Sequence, residues 1–302
     1  MNPILNRLNR RQFVLTAGAA AVASAMPSQV FAAKSNRRYK FCAFAKYLHT
    51  LSFDELADGI AAAGFDGVEI TARATDSCVH PDRAADELPR LKEALAKRNL
   101  DIMILTTDVL SADGPHVQSM LRAAAAAGIK YYRIGFFRYD LKQPIPPQVD
   151  ALQPVFRDIA AMNREIGITG LYQNHSGADM LGATVWDLHT LMQSIPKSEI
   201  GCVFDIRHAA TEAGEAWPVY FDLMKPHLDA ISVKDFRWNG RKSQHVPLGE
   251  GQVDPKFFKM LQQTDFAGPV SVHVEYLPKG SAQENLEALK TDFGTLRKML
   301  DS

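Results

Sequence analysis

Four apolar runs of the sequence each end in side chains that can bind metals or move protons. The runs end at Gln173-Asn174-His175, Asp205-Ile206-Arg207-His208, Lys234-Asp235 and His273-Val274-Glu275. A buried strand that ends in such residues is typical of the catalytic edge of a parallel β-barrel, where active sites lie. We therefore expect these four segments to meet at one mouth.

Asp205 and Glu275 are the strongest candidates for a metal site. Each ends a buried apolar run, where a carboxylate without a partner would be unfavourable. With the amide of Gln173 and the imidazole of His208 or His175, they could bind a divalent cation (Mn, Zn, Co or Mg) and leave positions open for a substrate. The predicted metal ligands are Gln173, Asp205, Glu275 and His208.

Proton transfer beside such a metal would require acids and bases nearby. Alternate residues of a strand face the same side, so we expect His175 and Lys234 to face the mouth together with the strand ends. Lysine and histidine side chains placed there can act as general acid and base. The residues predicted to be catalytic are Glu275, Lys234, His208 and His175.

Further polar residues are predicted to contact a substrate. They are Glu69, Arg133, His273 and Glu250. Glu69 could instead be a structural partner of a neighbouring Arg or Lys. Glu250 lies in the loop 246–254, which could be a lid over the mouth or simply a turn in which Asp254 caps the next helix.

Alternating strands and helices would bring these residues to one edge. The segments predicted as strands are 39–48, 67–70, 102–107, 131–136, 169–175, 200–208, 230–236 and 269–276. Amphipathic segments between them predict helices, and the first of these begins with Ser52 and Glu55, a pair typical of a helix N-terminus. Eight such units without a glycine-rich phosphate loop predict an α/β fold, a closed (β/α)8 TIM barrel rather than an open sheet.

The overall composition argues against some function classes. The chain has 34 basic and 34 acidic residues, and no basic stripe or acidic tail indicates binding to nucleic acid or to a membrane surface. The cysteines Cys42, Cys78 and Cys202 are odd in number, and two of them lie in apolar strand segments. Buried thiols are therefore expected rather than a disulfide framework.

The N-terminus is typical of an export signal. Arg10-Arg11-Gln12-Phe13 precedes an alanine-rich apolar run, and Val30-Phe31-Ala32 is similar to a signal-peptidase site. The paired arginines before a Phe indicate the twin-arginine (Tat) export machinery, and the run is too short for a stable membrane span. We therefore predict a signal peptide over 1–32, a barrel domain over 33–302 and a periplasmic location.

Several motifs together resemble the xylose-isomerase-like TIM-barrel superfamily of sugar-phosphate isomerases and epimerases. Asp205-Ile206-Arg207-His208 is similar to its Asp-x-x-His motif, and Val233-Lys234-Asp235 is similar to its His-x-Lys-Asp stretch. The segment Pro247–Asp254 is similar to its Pro-Gly-x-Gly-x-(Ile/Val)-Asp loop, and Glu275 falls where the family has its last metal-binding glutamate. The resemblance covers nearly the whole mature chain and implies the barrel fold.

Two departures from that family bear on the reaction. The resemblance implies the metal ligands Glu, Asp, His and Glu, but this sequence has Gln173 and Ser232 at the first and third positions. The family's classical epimerases also use the two glutamates as their proton-transfer pair. With Gln173 in place of the first glutamate, one of these bases is missing.

The leading hypothesis is a periplasmic sugar isomerase- or epimerase-like enzyme that removes a proton next to the carbonyl of a free or glycosidic keto-sugar, with a metal. One alternative is a keto-sugar dehydratase or lyase, because Tyr172–Ala178 resembles inosose dehydratase. Another is a metal-free, non-catalytic sugar-binding barrel. A metal-dependent hydrolase or nuclease is less favoured, since it would need more ligands and a basic groove. The sequence leaves a homo-oligomer open.

Overall fold

The computed structural model describes residues 39–301. The strands of this part are β1 Lys40–Phe44, β2 Gly67–Ala72, β3 Asp101–Thr107, β4 Tyr131–Arg133, β5 Thr169–Gln173, β6 Ile200–Asp205, β7 Leu228–Val233, β8 Asp235–Asn239, β9 Lys242–Val246 and β10 Pro269–Val272. All except β8 and β9 are parallel and close into a barrel in the order β1-β10-β7-β6-β5-β4-β3-β2. The predicted (β/α)8 barrel is thereby confirmed.

Helices surround the barrel. They are α1 Phe53–Ala63, α2 Ala84–Ala96, α3 Val117–Ala126, α4 Ile145–Ile166, α5 Trp186–Met192, α6 Ile206–Ala213, α7 Trp217–Met224, α8 Lys256–Gln262 and α9 Ala282–Asp301. Helix α1 begins as predicted, because the Ser52 hydroxyl accepts a hydrogen bond from the Glu55 N–H while the Glu55 carboxylate accepts one from the Ser52 N–H. The chain leaves α1 at Gly64, whose φ of 86° is left-handed and favours glycine.

Apolar side chains fill the barrel interior and the layer between strands and helices. The interior cluster consists of Ile104, Tyr131, Leu171, Val203 and Ala230. Alternate residues of a strand face the same side. Leu171 is therefore followed on the same side by Gln173, and Val203 by Asp205, so the apolar interior continues directly into polar side chains at the carboxyl end of the barrel.

Several strands end earlier than predicted. Strand β6 ends at Asp205 rather than at His208, because the Asp205 carboxylate accepts a hydrogen bond from the His208 N–H (3.1 Å) and thereby caps α6. Strands β5, β7 and β10 likewise stop before His175, Lys234 and His273. These residues lie in the loops that follow the strands.

Strands β8 and β9 form an antiparallel hairpin that is missing from the sequence prediction, in which 230–236 is one strand. The hairpin turns at Gly240-Arg241, and the φ of 59° at Gly240 suits the first position of a two-residue turn. Paired residues of a hairpin share a face, so Phe236 and His245 face the same side.

Three other expectations concern the chain as a whole. Cys42, Cys78 and Cys202 are free thiols, as expected. Between residues 39 and 301, no helix combines the length and the apolarity that crossing a membrane requires. The predicted signal peptide, 1–32, lies outside the described residues.

Candidate active site

A closed ring of polar side chains lies at the carboxyl end of the barrel. In order around the ring, its members are Glu69, Arg133, Gln173, Asp205, Lys234, Glu275 and His273. Each contacts the next through a hydrogen bond or an ion pair. The ring brings together most of the residues that the sequence analysis singled out.

Glu69 is fully buried and has three partners. Its Oε1 accepts hydrogen bonds from Arg133 Nη1 (2.7 Å) and Thr106 Oγ1 (2.6 Å), and its Oε2 lies 3.0 Å from His273 Nε2. Burial alone would raise the pKa of Glu69, but His273 and Arg133 outweigh it and hold this pKa below its usual range. Glu69 thus pairs with a buried arginine, which is the structural alternative to the substrate contact considered in the sequence analysis.

The amide of Gln173 links Arg133 to Asp205. Its Oε1 accepts a hydrogen bond from Arg133 Nη2, and its Nε2 donates one to Asp205 Oδ2 over 2.7 Å. A guanidinium can only donate and a carboxylate can only accept, so these two partners fix the orientation of the amide. The amide nitrogen, which is a poor metal ligand, is the end that faces Asp205.

The ammonium of Lys234 lies between two carboxylates. Its Nζ is 3.2 Å from Asp205 Oδ2 and 2.8 Å from Glu275 Oε1, and the lysine side chain is only 4% exposed. Burial would raise the pKa of Glu275, but Lys234, followed by His273, holds this pKa well below its usual range. Lys234 and its partners therefore place fixed positive and negative charges side by side at the mouth.

His273 closes the ring. Its Nε2 lies 3.0 Å from Glu69 Oε2 and 3.3 Å from Ser232 Oγ, and its Nδ1 lies 3.6 Å from Glu275 Oε1. The ring of Phe44 stacks on the imidazole at a centroid distance of 4.3 Å. The imidazole thus bridges Glu69 of β2 and Glu275 after β10, the two strands that flank β1 in the barrel.

His175 and His208 form a pair beside the ring, with 3.9 Å between their centroids. His208 Nδ1 accepts a hydrogen bond from Arg207, which can only donate, so the neutral imidazole carries its proton on Nε2, 3.6 Å from Asp205 Oδ2. Burial, followed by Lys234, lowers the pKa of His175 to about 4 and that of His208 well below its usual value. Both rings are therefore neutral at pH 7.

His245 is a member of the site that the sequence analysis did not include. It lies on β9, and its Nε2 is 3.7 Å from Glu275 Oε2. Burial lowers the pKa of His245 to about 4, although Glu275 opposes this shift. The alternation of Ser243 and His245 in a strand is the available signal, but the segment is polar and lies outside every predicted strand.

Arg207 fastens the hairpin over the mouth, a role that its sequence motif did not reveal. Its guanidinium donates hydrogen bonds to Ser243 Oγ on β9 (2.8 Å) and to Ser176 Oγ after β5 (2.7 Å). It also lies over the ring of Phe236 on β8, 5.4 Å from the centroid. This buried cation thereby positions the strand that carries His245.

The loop 246–254 is held by the carboxylate of Asp235 rather than by the side chain of Glu250. The Asp235 carboxylate accepts hydrogen bonds from the N–H groups of Gly249, Gly251 and Val253, each over 3.0 Å. Glu250 lies outside the ring: its side chain is 59% exposed and 3.9 Å from Arg237. The capping expected for Asp254 is confirmed, since it accepts a hydrogen bond from the Lys256 N–H over 2.8 Å. A lid function stays a prediction.

The contacts of the ring do not fit a divalent cation. Metal ligands must direct free lone pairs at one point. Here the carboxylates of Asp205 and Glu275 are directed at Lys234 Nζ, and the amide oxygen of Gln173 is directed at Arg133. Within residues 39–301, no three or more His, Cys, Asp or Glu side chains are grouped so that they could hold a metal ion. The predicted ligands come together, but around an ammonium.

Solved structures that share this fold include the following three. The 3-keto-D-glucoside 4-epimerase YcjR from E. coli is 15% identical, with a TM-score of 0.65 over 86% of this chain and 100% of that one. The probable 3-DHS dehydratase AsbF from Bacillus anthracis is 14% identical, with a TM-score of 0.66 over 85% and 98%. A xylose isomerase-like TIM-barrel protein from Mycobacterium smegmatis in complex with magnesium is 14% identical, with a TM-score of 0.62 over 87% and 98%.

These identities are low enough that the structural similarity shows the fold alone. No curated protein matches the sequence. The profile of the xylose isomerase-like TIM-barrel family, by contrast, matches residues 57–292, which is most of the chain and includes every member of the ring. The chain therefore belongs to the xylose isomerase-like TIM-barrel family.

Proposed function

We propose that the protein is a sugar isomerase or epimerase that moves a proton at a carbon next to a carbonyl group. The observation that carries this proposal is the buried ammonium of Lys234 between Asp205 and Glu275 at the barrel mouth. Removal of such a proton places negative charge on the carbonyl oxygen. A preorganised cation in a buried site stabilises that charge strongly.

Glu275 is the proposed base. Its side chain is 18% exposed, whereas Glu69 and Asp205 are 0% exposed, so of the three carboxylates in the ring it is the most accessible to a substrate. In the proposed step, the C–H bond breaks, the proton passes to the Glu275 carboxylate and the electron pair forms an enolate, whose oxygen accepts a hydrogen bond from Lys234. The protonated Glu275 can return this proton to the neighbouring carbon, and the neutral His245 or His175 can accept the proton of the substrate hydroxyl and pass it to the enolate oxygen.

The proposed substrate is a free or glycosidic keto-sugar. One barrel of the same fold is named as a 3-keto-D-glucoside 4-epimerase. In this chain, the rings of Phe44 and Phe136 pack against His273 and His175, so aromatic surface lies beside the polar groups, a combination suited to a sugar. We retain the periplasm as the proposed location and the Tat machinery as the proposed export partner.

The test is proton exchange in deuterated water. Wild-type protein is incubated with a panel of keto-sugars, and NMR follows replacement of the hydrogen next to the carbonyl by deuterium. We expect exchange by the wild type and a loss on the order of 100-fold or more in Glu275→Gln and Lys234→Met. Glu287→Gln, the same substitution at an exposed glutamate on α9, is the control and should exchange normally. Sugar binding without exchange by the wild type would contradict the proposal and indicate a binding barrel.

Elimination of water from a keto-sugar is a second candidate. The observation that favours it is the N–H of His208 Nε2, which has no hydrogen-bond partner among the described residues. It could donate a hydrogen bond to a hydroxyl that leaves as water with the proton taken up by Glu275. The same experiment distinguishes the two reactions. Elimination yields an unsaturated product that is one water lighter, whereas isomerisation and epimerisation conserve the mass.

A further inference from the structure

The charges of the ring are nearly balanced without any added ion. Its carboxylates are Glu69, Asp205 and Glu275, and its basic groups are Arg133, Lys234 and the imidazole of His273. A divalent cation added to this set would leave an excess of positive charge in a buried site, which is unfavourable. Without Lys234, Asp205 and Glu275 would instead lack their ammonium partner.

The neutral members of the site match this balance. Gln173 presents its N–H group, rather than a second carboxylate, to Asp205. Ser232 contacts His273 and adds no charge. A single positive charge lies between two carboxylates. The site therefore does not require a charged residue in place of Gln173 or Ser232.

The ammonium is also well placed to act on a substrate. Lys234 Nζ has three N–H donors, and Asp205 and Glu275 accept from two directions, at 3.2 and 2.8 Å. The third donor can therefore form a hydrogen bond with a substrate oxygen, which would otherwise bind at an open coordination position of a metal ion.

We infer that Lys234 Nζ takes the place of a divalent cation in this barrel, so that a metal ion can bind between Asp205 and Glu275 only after the lysine is removed. This inference deepens the proposed function, because it names the source of positive charge at the same site. Its test requires no substrate, so the two can fail separately.

The experiment measures binding of Mn²⁺ alone to the EDTA-treated, full-length protein, by electron paramagnetic resonance and calorimetry. We expect Lys234→Ala to bind one Mn²⁺ per chain with an affinity on the order of tenfold or more above that of the wild type. Lys242→Met, at an exposed lysine of β9, is the control and should behave like the wild type. Asp205→Asn added to Lys234→Ala should abolish the gained site.

Two results would overturn the inference. One is stoichiometric Mn²⁺ binding by the wild type that Asp205→Asn removes, since the ligands would then accept a metal beside Lys234. The other is a folded Lys234→Ala protein that gains no Mn²⁺ site. Should that variant not fold, Lys234→Gln keeps most of the side-chain stem, and both are refolded with and without Mn²⁺. Recovery of the fold by Mn²⁺ supports the inference, and its absence overturns it.

Discussion

The side chain of Gln173 determines how two halves of the ring are joined. Arg133 and Asp205 approach opposite ends of its amide, and a glutamate could satisfy only the first of them. One residue therefore sets both the hydrogen bonding and the charge of the site. The same local reasoning applies to Lys234, whose position matters because it is charged and buried between carboxylates.

Gln173→Glu is expected to destabilise the protein by about 1–3 kcal/mol at pH 7, because two carboxylates would then face each other where a 2.7 Å hydrogen bond now exists. Repulsion by Asp205 raises the pKa of the introduced carboxyl, so the folded state binds more protons than the unfolded state and the deficit shrinks as the pH falls. Urea unfolding at several pH values measures this. Gln118→Glu, on exposed α3, serves as the control, and equal stabilities of the two variants at pH 7 would contradict the prediction.

At the scale of elements, the hairpin and the loop 246–254 depend on a few buried charges. Arg207 ties β8 and β9 to α6, and Asp235 holds the loop from one side. Asp292 of α9 holds it from the other side, since its Oδ1 accepts hydrogen bonds from the Leu248 N–H and the Tyr276 hydroxyl, each over 3.2 Å. The elements around the mouth are thus fastened by side chains far apart in the sequence.

Asp292→Asn is expected to stabilise the protein more at pH 8 than at pH 5. Burial raises the pKa of Asp292 to about 7, against the hydrogen bonds from Leu248 and Tyr276. Between its usual pKa and about 7, the folded state holds a proton that the unfolded state has lost, so wild-type stability falls as the pH rises, by up to about 1.4 kcal/mol per pH unit. Asparagine imitates the protonated form. Thermal unfolding between pH 5 and pH 8 measures this, and Asp158→Asn, at an exposed aspartate, is the control. The prediction would be contradicted if the stability of both variants depended on pH as that of the wild type does.

At the scale of the whole molecule, closure of the barrel gives every barrel strand two neighbours. The seam between β2 and β3 is tight: a Cβ at Gly67 would lie 2.2 Å from the Asp101 carbonyl oxygen. This seam also carries a register shift between Val68 and Glu69, directly before the first member of the ring. Glycine is therefore required at Gly67 by the approach of a backbone group, which cannot move aside as a flexible side chain can.

Gly67→Ala is expected to destabilise the whole barrel by about 3 kcal/mol, because the added methyl group would push β2 away from β3. Since the barrel closes on itself, we expect faster amide hydrogen exchange in β6 on the opposite side as well as in β2. Gly294→Ala, in helix α9, is the matched control. A Cβ added at Gly294 would meet no neighbouring side chain or other element within 4 Å, and alanine there should raise the free energy of unfolding by about 0.5–1 kcal/mol. Faster exchange confined to β2 would contradict the expected cooperativity.

Local patterns in the sequence predict the barrel and much of the ring. Alternation within strands is a local property, so the spacing from Leu171 to Gln173 and from Val203 to Asp205 was enough to place these two side chains at the mouth. The capping of α1 by Ser52 and the free thiols are local or compositional in the same way.

The partners of these residues depend on the tertiary structure. His273 contacts Glu69 across 204 residues of sequence, and Lys234 reaches Glu275 across 41. The path of the hairpin, which follows from its turn and from Arg207, brings His245 to Glu275. Such contacts depend on how distant segments close around one axis, a global property that no local spacing contains. For this reason the position between Asp205 and Glu275, where a metal ion was expected, is filled by the ammonium of Lys234.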